Sequence, residues 1–307
     1  MQLLLDDDLV EGATFLCATR RHDIPSTSIR RFHQSREKAY SFLDPDERQE
    51  AFARVHQEFF QEWGLRAALD SGLARFQNLQ QHLMAAAFRK ARVRTEEGAD
   101  LHVNPDARRR AIVALLPERM ASTDRLDPFL NHELQHVSDM VDPAFEYDAE
   151  GVSAGASPSQ QRLVRERYRL IWDVTIDGRL GRCGFATVAT EAERSAEFER
   201  AFGFLADRSD RFVQLWEGDH PTHTEVLSLA RDPRGFSQTR QIEPGAPCPL
   251  CGFATFQWIR AADISAVVLG RIQKDFKEWH EDEALCARCA EMYEATAMEG
   301  LPTTIEL

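Results

Sequence analysis

The sequence predicts an α+β protein that is mainly helical, with a small sheet and a separate cysteine-rich module at its C-terminus. Residues 29–92 carry apolar side chains at helical spacing. A short apolar stretch at 110–117 has the composition of a buried strand, and an amphipathic helix is predicted after it. Two C-x-x-C pairs follow a segment rich in proline and glycine near residue 243. We therefore expect an N-terminal helical subdomain at 1–92, a central domain at 93–240 and a C-terminal module at 241–307.

The N-terminal region contains the start signals and apolar faces that are typical of packed helices. Asp44 is an N-cap candidate, and Pro45, Asp46 and Glu47 suit the first turn of the helix that follows. A stripe of large apolar side chains at helical spacing comes later and is more typical of a core than of a cofactor site. Its members are Leu65, Leu69, Leu73, Phe76, Leu79 and Leu83. We expect this region to pack against the central domain.

The central domain begins with strand candidates and continues into one well-delimited helix. Residues 91–95 and 100–103 suit further strands of a small sheet, next to the apolar stretch described above. Asp127 is an N-cap candidate followed by Pro128, which suits the first helical position. Asp142, which precedes a proline, is expected to end the helix.

This helix carries the sequence N-H-E-L-Q-H-V-S-D-M, from Asn131 to Met140. His132 and His136 are four residues apart, so their rings leave the same helical face one turn apart. Two neutral imidazoles so placed can bind one Zn²⁺, and Glu133 is positioned to take a proton from the metal-bound water. An H-E-x-x-H sequence of this kind is the metalloprotease signature.

A strand, a short connection and an H-E-x-x-H helix together resemble the zincin metallopeptidases. Bacterial metallopeptidases of this kind pair H-E-L-x-H with a later W-N-x-x-x-D segment, whose aspartate is similar in position to the third metal ligand. This chain has Trp172, then Asp173 where that pattern has asparagine, and Asp177 as the matching aspartate. The resemblance implies a zincin-like catalytic domain whose catalytic zinc is held by His132, His136 and Asp177.

The two aspartates of this second segment are themselves informative. Asp173 and Asp177 lie one turn apart on one helical face with apolar neighbours, so their carboxylates repel unless a cation is near. A zinc ion is one such cation, and Asp173 is an alternative ligand or a partner of the ligands. The alternative without metal pairs Asp173 with Arg169 and leaves Asp177 facing water.

Three further acids compete for the third-ligand position. Asp142 occupies the place of the last ligand in the metzincin pattern, but Asp139 stands where that pattern requires glycine. Asp139 shares the helical face of the two histidines, which suits a residue that supports the ligands. Glu193 would suit a gluzincin-like scheme, although Thr190 and Glu193 also form a capping box that needs no metal.

Four cysteines near the C-terminus predict a second, structural metal site. Cys248 and Cys251 are separated by 34 residues from Cys286 and Cys289, and Gly252 can turn the chain after the first pair. Four thiolates close a tetrahedral zinc site and leave no open position. The pattern resembles a zinc ribbon, which implies one structural zinc ion. Together with the resemblance to the zincins, this implies two zinc ions in the whole chain, one catalytic and one structural.

Composition limits the partners and the compartment. The formal net charge is −13, which argues against nucleic acid as a partner, and acidic residues predominate in the ribbon. No apolar run approaches the length of a membrane span and no leader pattern is evident, so we expect a cytoplasmic protein. Cys17 and Cys183 are expected to be buried thiols in such a reducing compartment.

Two functions from different classes follow from these motifs. The first is a zinc-dependent metallopeptidase, a hydrolase acting on a peptide or protein, with Glu133 as the general base. Tyr147, His223 and Arg179 are candidates for stabilising the oxyanion. The second is a non-catalytic protein-interaction protein, in which the zincin-like site is vestigial and the ribbon binds a protein partner. The presence of Glu133 favours the first, because a binding module has no need of a carboxylate there.

Overall fold

The computed structural model describes residues 1–106, 108–148, 158–205, 207–233, 245–276, 279 and 284–298. The chain forms two units, Met1–Arg231 and Asp232–Leu307. The predicted boundary near residue 240 falls within residues 234–244, which lie outside the described residues. The described part is mainly helical with small sheets, which confirms the expected α+β class.

The first unit contains a four-stranded sheet in the order β1-β2-β4-β3. The strands are β1 (Gln2–Leu5), β2 (Ala85–Lys90), β3 (Gly98–Val103) and β4 (Arg109–Leu115). Strand β2 pairs in parallel with both β1 and β4, whereas β3 runs antiparallel to β4. Strand β3 is therefore an edge strand with only one neighbour in this sheet.

Helices make up most of the first unit. They are α1 (Asp7–Arg20), α2 (Ser26–Ala39), α3 (Pro45–Glu62), α4 (Leu65–Ala74), α5 (Gln77–His82), α6 (Pro117–Met120), α7 (Thr123–Val141), α8 (Pro158–Arg182), α9 (Glu191–Phe202), α10 (Arg208–Glu217) and α11 (His223–Arg231). Helix α3 begins as predicted, because the Asp44 side chain accepts hydrogen bonds from the backbone N–H groups of Asp46 and Glu47. Helix α8 packs against α7, α9, α10 and α11.

Residues 1–92 belong to the same unit as the central region. They supply β1 and β2, the parallel neighbours of β4. Their buried side chains, such as Leu9 and Phe59, join the same hydrophobic cluster as Leu134 of α7 and Ile176 of α8. The expected packing of the N-terminal helices is present, and one shared core makes the two regions a single unit.

Two strand predictions need correction. The strand expected at 91–95 lies at Ala85–Lys90 instead, because pairing with β4 sets its position, with Ala86 opposite Ala111. Three consecutive alanines begin this strand, and alanine carries little of the β-branched signal that identifies strands in a sequence. Strand β1 was not predicted, since four residues are too short for a periodic pattern. The strand expected at 100–103 is confirmed within β3.

Helix α7 begins earlier than its proline suggested. It starts at Thr123 after the N-cap position Ser122, so Pro128 lies inside the helix and Asp127 is not the cap. A proline there removes one helical hydrogen bond. The buried side chains of Leu126 and Phe129, which flank this position, join the core and favour the longer helix. The predicted end at Asp142 is confirmed, since Val141 is the last helical residue.

Within its described residues, the second unit has two short two-stranded sheets and two helices. These are β5 (Ala246–Pro247), β6 (Ala254–Thr255), β7 (Trp258–Ile259), β8 (Leu285–Cys286), α12 (Ala266–Asp275) and α13 (Ala287–Met298). Strand β5 pairs with β6 and β7 with β8, both antiparallel. A small core that includes Ile272 and Leu285 packs around the buried cysteines of this unit. Neither unit contains, within its described residues, a helix that is long and apolar enough to cross a membrane.

Candidate metal centres

Helix α7 presents His132, Glu133 and His136 on its inner side. All three side chains are buried, although they are polar. The ring centroids of the two histidines are 5.0 Å apart, and the His136 ring also contacts Trp172 of α8 edge-on at 4.4 Å. Burial of three polar side chains on one helix is costly unless each has a partner. Those partners come mainly from α8.

Asp173 of α8 lies between the two histidines. Its Oδ1 atom is 2.9 Å from Nε2 of His136 and 3.3 Å from Nε2 of His132. One donor atom from each residue lies within 4.8 Å of the others, so His132, His136 and Asp173 form a group that could hold a metal ion. The alternative that pairs Asp173 with Arg169 gives way to this arrangement, because Asp173 faces the histidines.

The donor set fits zinc in both chemistry and spacing. Imidazole nitrogen and carboxylate oxygen are ordinary zinc ligands, with bonds of about 2.0–2.2 Å, so neighbouring donors around a tetrahedral ion lie about 3.3 Å apart. The separation of Asp173 Oδ1 from Nε2 of His132 has that value, at 3.3 Å, and its separation from Nε2 of His136 is shorter, at 2.9 Å, as in a hydrogen bond.

Asp177 lies on the other side of His132. Its Oδ1 atom is 2.9 Å from Nδ1 of His132, and its Oδ2 atom accepts a hydrogen bond of 2.7 Å from Nε of Arg194 on α9. Asp177 is fully buried. Asp177 therefore contacts the ring nitrogen of His132 that faces away from Asp173. The sequence favoured Asp177 as the third ligand, but the group that could hold a metal ion contains Asp173.

The electrostatics of this group favour a positive charge at its centre. Burial acts to lower the pKa of His132, but hydrogen bonds to Asp173 and Asp177 and their negative charges outweigh it and raise the pKa to about 9. Burial acts to raise the pKa of Asp173, but its hydrogen bonds with His132 and His136 outweigh burial and hold the pKa of this carboxyl well below its usual range. Protons or a metal ion can supply the positive charge that both shifts require.

Glu133 contacts the edge strand of the sheet. Its Oε2 atom accepts a hydrogen bond of 2.9 Å from the backbone N–H of Ala99 in β3. Gly98 precedes Ala99 with a φ of +152°, and a side chain there would approach Oε2 of Glu133 to 3.6 Å. The carboxylate therefore lies between the histidine helix and the strand edge.

Asp139, an alternative on the same helical face, has other partners. Both terminal nitrogens of Arg179 donate to its carboxylate, at 2.9 and 2.5 Å, and Nε1 of Trp172 donates at 2.8 Å. This buried ion pair joins α7 to α8. It also engages Arg179, one of the three candidates for the oxyanion.

The other two alternatives are explained by local backbone contacts. Asp142 follows the last residue of α7, and its Oδ1 atom accepts a hydrogen bond of 2.8 Å from the N–H of Ala144. Glu193 forms the predicted capping box with Thr190, in which each side chain bonds the other residue's backbone N–H. Neither residue belongs to the metal-holding groups found among the described residues.

Tyr147 and His223 lie in an aromatic cluster beside α8. The His223 ring is buried, its Nδ1 atom is 2.8 Å from the hydroxyl of Tyr168, and burial lowers its pKa. The Tyr147 ring lies 5.5 Å from the His223 ring and 5.9 Å from Trp172, which in turn contacts His136. Both candidates are thus near the histidine pair through Trp172, but neither contacts the three donor residues in a described hydrogen bond.

The four C-terminal cysteines form the second metal-holding group. Sγ atoms of Cys248, Cys251, Cys286 and Cys289 all lie within 4.8 Å of one another. Those of Cys251 and Cys286 are 3.8 Å apart, which is about the separation of two thiolates on a tetrahedral zinc with bonds near 2.3 Å. The cluster predicted from the two C-x-x-C pairs is confirmed, since this group could hold a metal ion.

Backbone geometry prepares these sulfurs for a cation. The N–H of Cys286 points at Sγ of Cys248 and the N–H of Cys289 at Sγ of Cys286, each at 3.3 Å. Burial raises the pKa of Cys248, but backbone N–H groups outweigh it and lower that pKa to about 7. Burial and hydrogen bonds with neighbouring thiols instead raise the pKa of Cys286 and of Cys289, so a cation is needed to hold all four as thiolates. Gly252 turns the chain after Cys251 with a φ of +72°.

The two remaining cysteines differ from each other. Cys17 is buried in α1, and burial raises its pKa to about 11. Cys183 is exposed, contrary to prediction, because it follows the last residue of α8, where the helix has left the core.

Arg194 was missed entirely by the sequence, and Asp173 was ranked below Asp177. Arg194 lies in α9, and no spacing rule links that helix to the H-E-x-x-H helix. The only available signal was two acids one turn apart, which require nearby positive charge without identifying its source.

A scan against protein-family models found no match, and searches of curated proteins and of solved structures likewise found none. What the chain does must therefore be inferred from its own residues.

Proposed function

We propose that this chain is a zinc-dependent metallopeptidase. The observation that carries the proposal is the buried group of His132, His136 and Asp173, with Glu133 beside it at the edge of the sheet. Three protein ligands that leave a position open are the pattern of catalytic zinc sites, whereas structural sites are closed.

The proposed third ligand is Asp173, which replaces the Asp177 favoured by the sequence. A single oxygen of Asp173 lies near Nε2 of both histidines, where a shared ion would be held. Asp177 instead engages Nδ1 of His132. A carboxylate on the second ring nitrogen fixes the tautomer and the ring orientation of a metal-binding histidine. In this proposal both acids of the W-D-x-x-x-D segment therefore serve the site, in different roles.

Zinc, when bound, supplies Lewis acidity and makes its water acidic enough to be deprotonated near neutral pH. Glu133 is the chain's own base in the proposal: its carboxylate takes the proton from water and later delivers it to the leaving amine. The N–H of Ala99 holds one oxygen of Glu133 in place. The other oxygen remains for proton transfer.

The edge strand supports a peptide as substrate. Residues of an antiparallel strand alternately direct their backbone groups towards the partner and away from it. Since the N–H of Ala99 points at Glu133, the outward positions of β3 are Ala99, Leu101 and Val103. The Ala99 N–H is already used by Glu133, so a peptide would pair with Leu101 and Val103. An extended peptide can add to such an edge through main-chain hydrogen bonds. A peptide bound along β3 would pass close to Glu133.

The cysteine group is proposed to hold a structural zinc. Four thiolates complete a tetrahedral site and leave no position for a substrate. The second unit has only a small core, so metal binding is expected to supply much of the folding free energy of this unit. We propose that this ion braces the second unit or a surface for a protein partner.

A peptide-library digest tests the activity. Glu133→Gln keeps an oxygen that can accept the Ala99 hydrogen bond but cannot act as a base, so we expect metal content to be retained and cleavage to fall by roughly 10²–10⁴-fold. Glu199→Gln, which changes an exposed glutamate of α9, is the matched control and should cleave like the wild type. Equal cleavage by wild type and Glu133→Gln would contradict the role of Glu133 and point to a contaminant. Absence of cleavage by every sample would favour the non-catalytic interaction protein.

A further inference from the structure

Arg194 is a buried cation in contact with the aspartate pair. Its side chain is 9% exposed. The Nε atom donates to Oδ2 of Asp177 at 2.7 Å, and one terminal nitrogen lies 2.7 Å from Oε2 of Glu197 and 3.7 Å from Oδ2 of Asp173. An arginine buried to this degree requires partners for its charge, and these carboxylates supply them.

Arg194 and His132 together hold the Asp177 carboxylate. The two oxygens of this fully buried carboxylate have different partners: Oδ1 contacts Nδ1 of His132, and Oδ2 accepts from Arg194. A rotation of the carboxylate would break one contact or both, and no solvent is near to replace them. The orientation of the His132 ring therefore depends on a chain of contacts that starts in α9.

We propose that Arg194 is a positioning residue for the metal site, acting through Asp177 to aim Nε2 of His132 at the shared ion. This inference rests on the metal site proposed above. Arg194 does not bind the ion or the substrate in this scheme. Its effect is expected to appear in metal affinity, because outer partners of metal-binding histidines typically change that affinity by roughly 10–100-fold.

A purely structural role is the competing explanation, since Arg194 also connects α9 to α8. The chain offers a matched control in Arg179, another buried arginine that forms an ion pair beside the site. Arg179 joins α8 to α7 through Asp139 and makes no described contact with the three donor residues. Loss of either arginine should lower stability, because each leaves a buried carboxylate without its cation. Loss of Arg194 should disturb His132 directly through Asp177, whereas loss of Arg179 can reach the histidines only through the packing of α7 against α8.

The test measures Zn²⁺ affinity of the full chain by competition with a chelator, with the ribbon ion left in place. Wild type, Arg194→Met, Arg194→Lys and Arg179→Met are compared, and circular dichroism confirms that each is folded. We expect Arg194→Met to bind the labile ion roughly 10–100-fold more weakly. Arg194→Lys, which keeps a donor and the charge, should recover part of this loss, and Arg179→Met should lose clearly less affinity than Arg194→Met. Cobalt substitution adds a second readout, because the visible spectrum of the labile site should change more in Arg194→Met than in Arg179→Met.

Unchanged affinity in Arg194→Met would overturn the inference, and so would an equal loss in Arg179→Met, which would indicate general loosening around α8. These results are separable from the fate of the proposed activity. Wild type that binds the labile ion and shows the expected affinity differences, but cleaves no peptide, would refute the peptidase and leave the positioning role intact. If the wild type cleaves peptides but Arg194→Met binds the labile zinc ion as tightly as the wild type, only the positioning role is refuted. Wild type with zinc on the cysteines alone would overturn both.

Discussion

Replacing Asp173 and Asp177 one at a time by asparagine distinguishes the ion's ligand from the residue that orients a ligand. Asparagine has nearly the same shape as aspartate but lacks the charge. One oxygen of Asp173 lies 2.9 and 3.3 Å from the two Nε2 atoms, so Asp173→Asn removes the anionic ligand itself. Asp177→Asn leaves all three donor residues in place and removes only the charge opposite Nδ1 of His132.

Both variants should lower zinc affinity and folding stability. Asp177→Asn should weaken zinc binding by roughly 10–100-fold, or about 1.4–2.7 kcal/mol, as expected for an outer partner of a histidine ligand. It also removes one of the two carboxylates that lie 2.7 Å from the buried Arg194, and since Glu197 remains, the cost in folding stability should stay below the roughly 3–5 kcal/mol of a buried charge left with no partner. Asp173→Asn should lose more affinity than Asp177→Asn. Asp173→Asn should also destabilise the metal-free fold, because it removes the carboxylate charge that lies 2.9 and 3.3 Å from the two Nε2 atoms.

Two measurements on the full chain test this pair of variants. Elemental analysis after mild chelation counts the labile ion, and thermal unfolding of the chelated samples compares their stability. The cysteine-bound ion should resist chelation in all samples and serves as an internal count. If Asp177→Asn loses the labile ion completely while Asp173→Asn retains it at wild-type affinity, Asp177 is the ligand, as the sequence alone favoured, and the geometric reasoning fails.

Two further predictions concern the fold of the first unit. Gly178→Ala should destabilise this unit by about 1–3 kcal/mol or more, because the added Cβ would lie 2.1 Å from the backbone oxygen of Trp216. In the control Gly181→Ala, on the same helix, the added Cβ meets nothing within 4 Å, so this variant should be neutral or stabilising. Equal melting temperatures for the two variants would contradict the prediction. Burial and the charge of Arg36 lower the pKa of His56 from 6.5 to about 4. Protonation of His56 therefore favours the unfolded chain. The stability that neutral His56 contributes is complete above pH 6.5 and is lost as the pH falls towards 4. Between pH 7 and pH 5 the wild type should lose about 2 kcal/mol more than His56→Gln in denaturant unfolding, and parallel pH profiles would refute this assignment.

The sequence alone determined those features whose chemistry is local. Two histidines four residues apart must share a helical face, and two C-x-x-C pairs can close on one ion once the intervening residues fold. Caps behave likewise: Asp44 and Thr190 satisfy N–H groups two or three residues away, so their roles were predictable. The helical class followed from periodicity for the same reason.

Only the tertiary structure decided how the pieces meet. Asp173 and Asp177 share one face of α8, and sequence spacing cannot tell which of them lies nearer the histidines, because that depends on how α8 packs against α7. The arginine that holds Asp177 comes from α9, beyond a loop whose geometry no periodicity encodes. Strand β2 was displaced from its predicted position because its register follows from pairing with β4. Local patterns thus identified the reacting groups, whereas long-range packing assigned them their partners, since contacts between distant segments depend on the whole core.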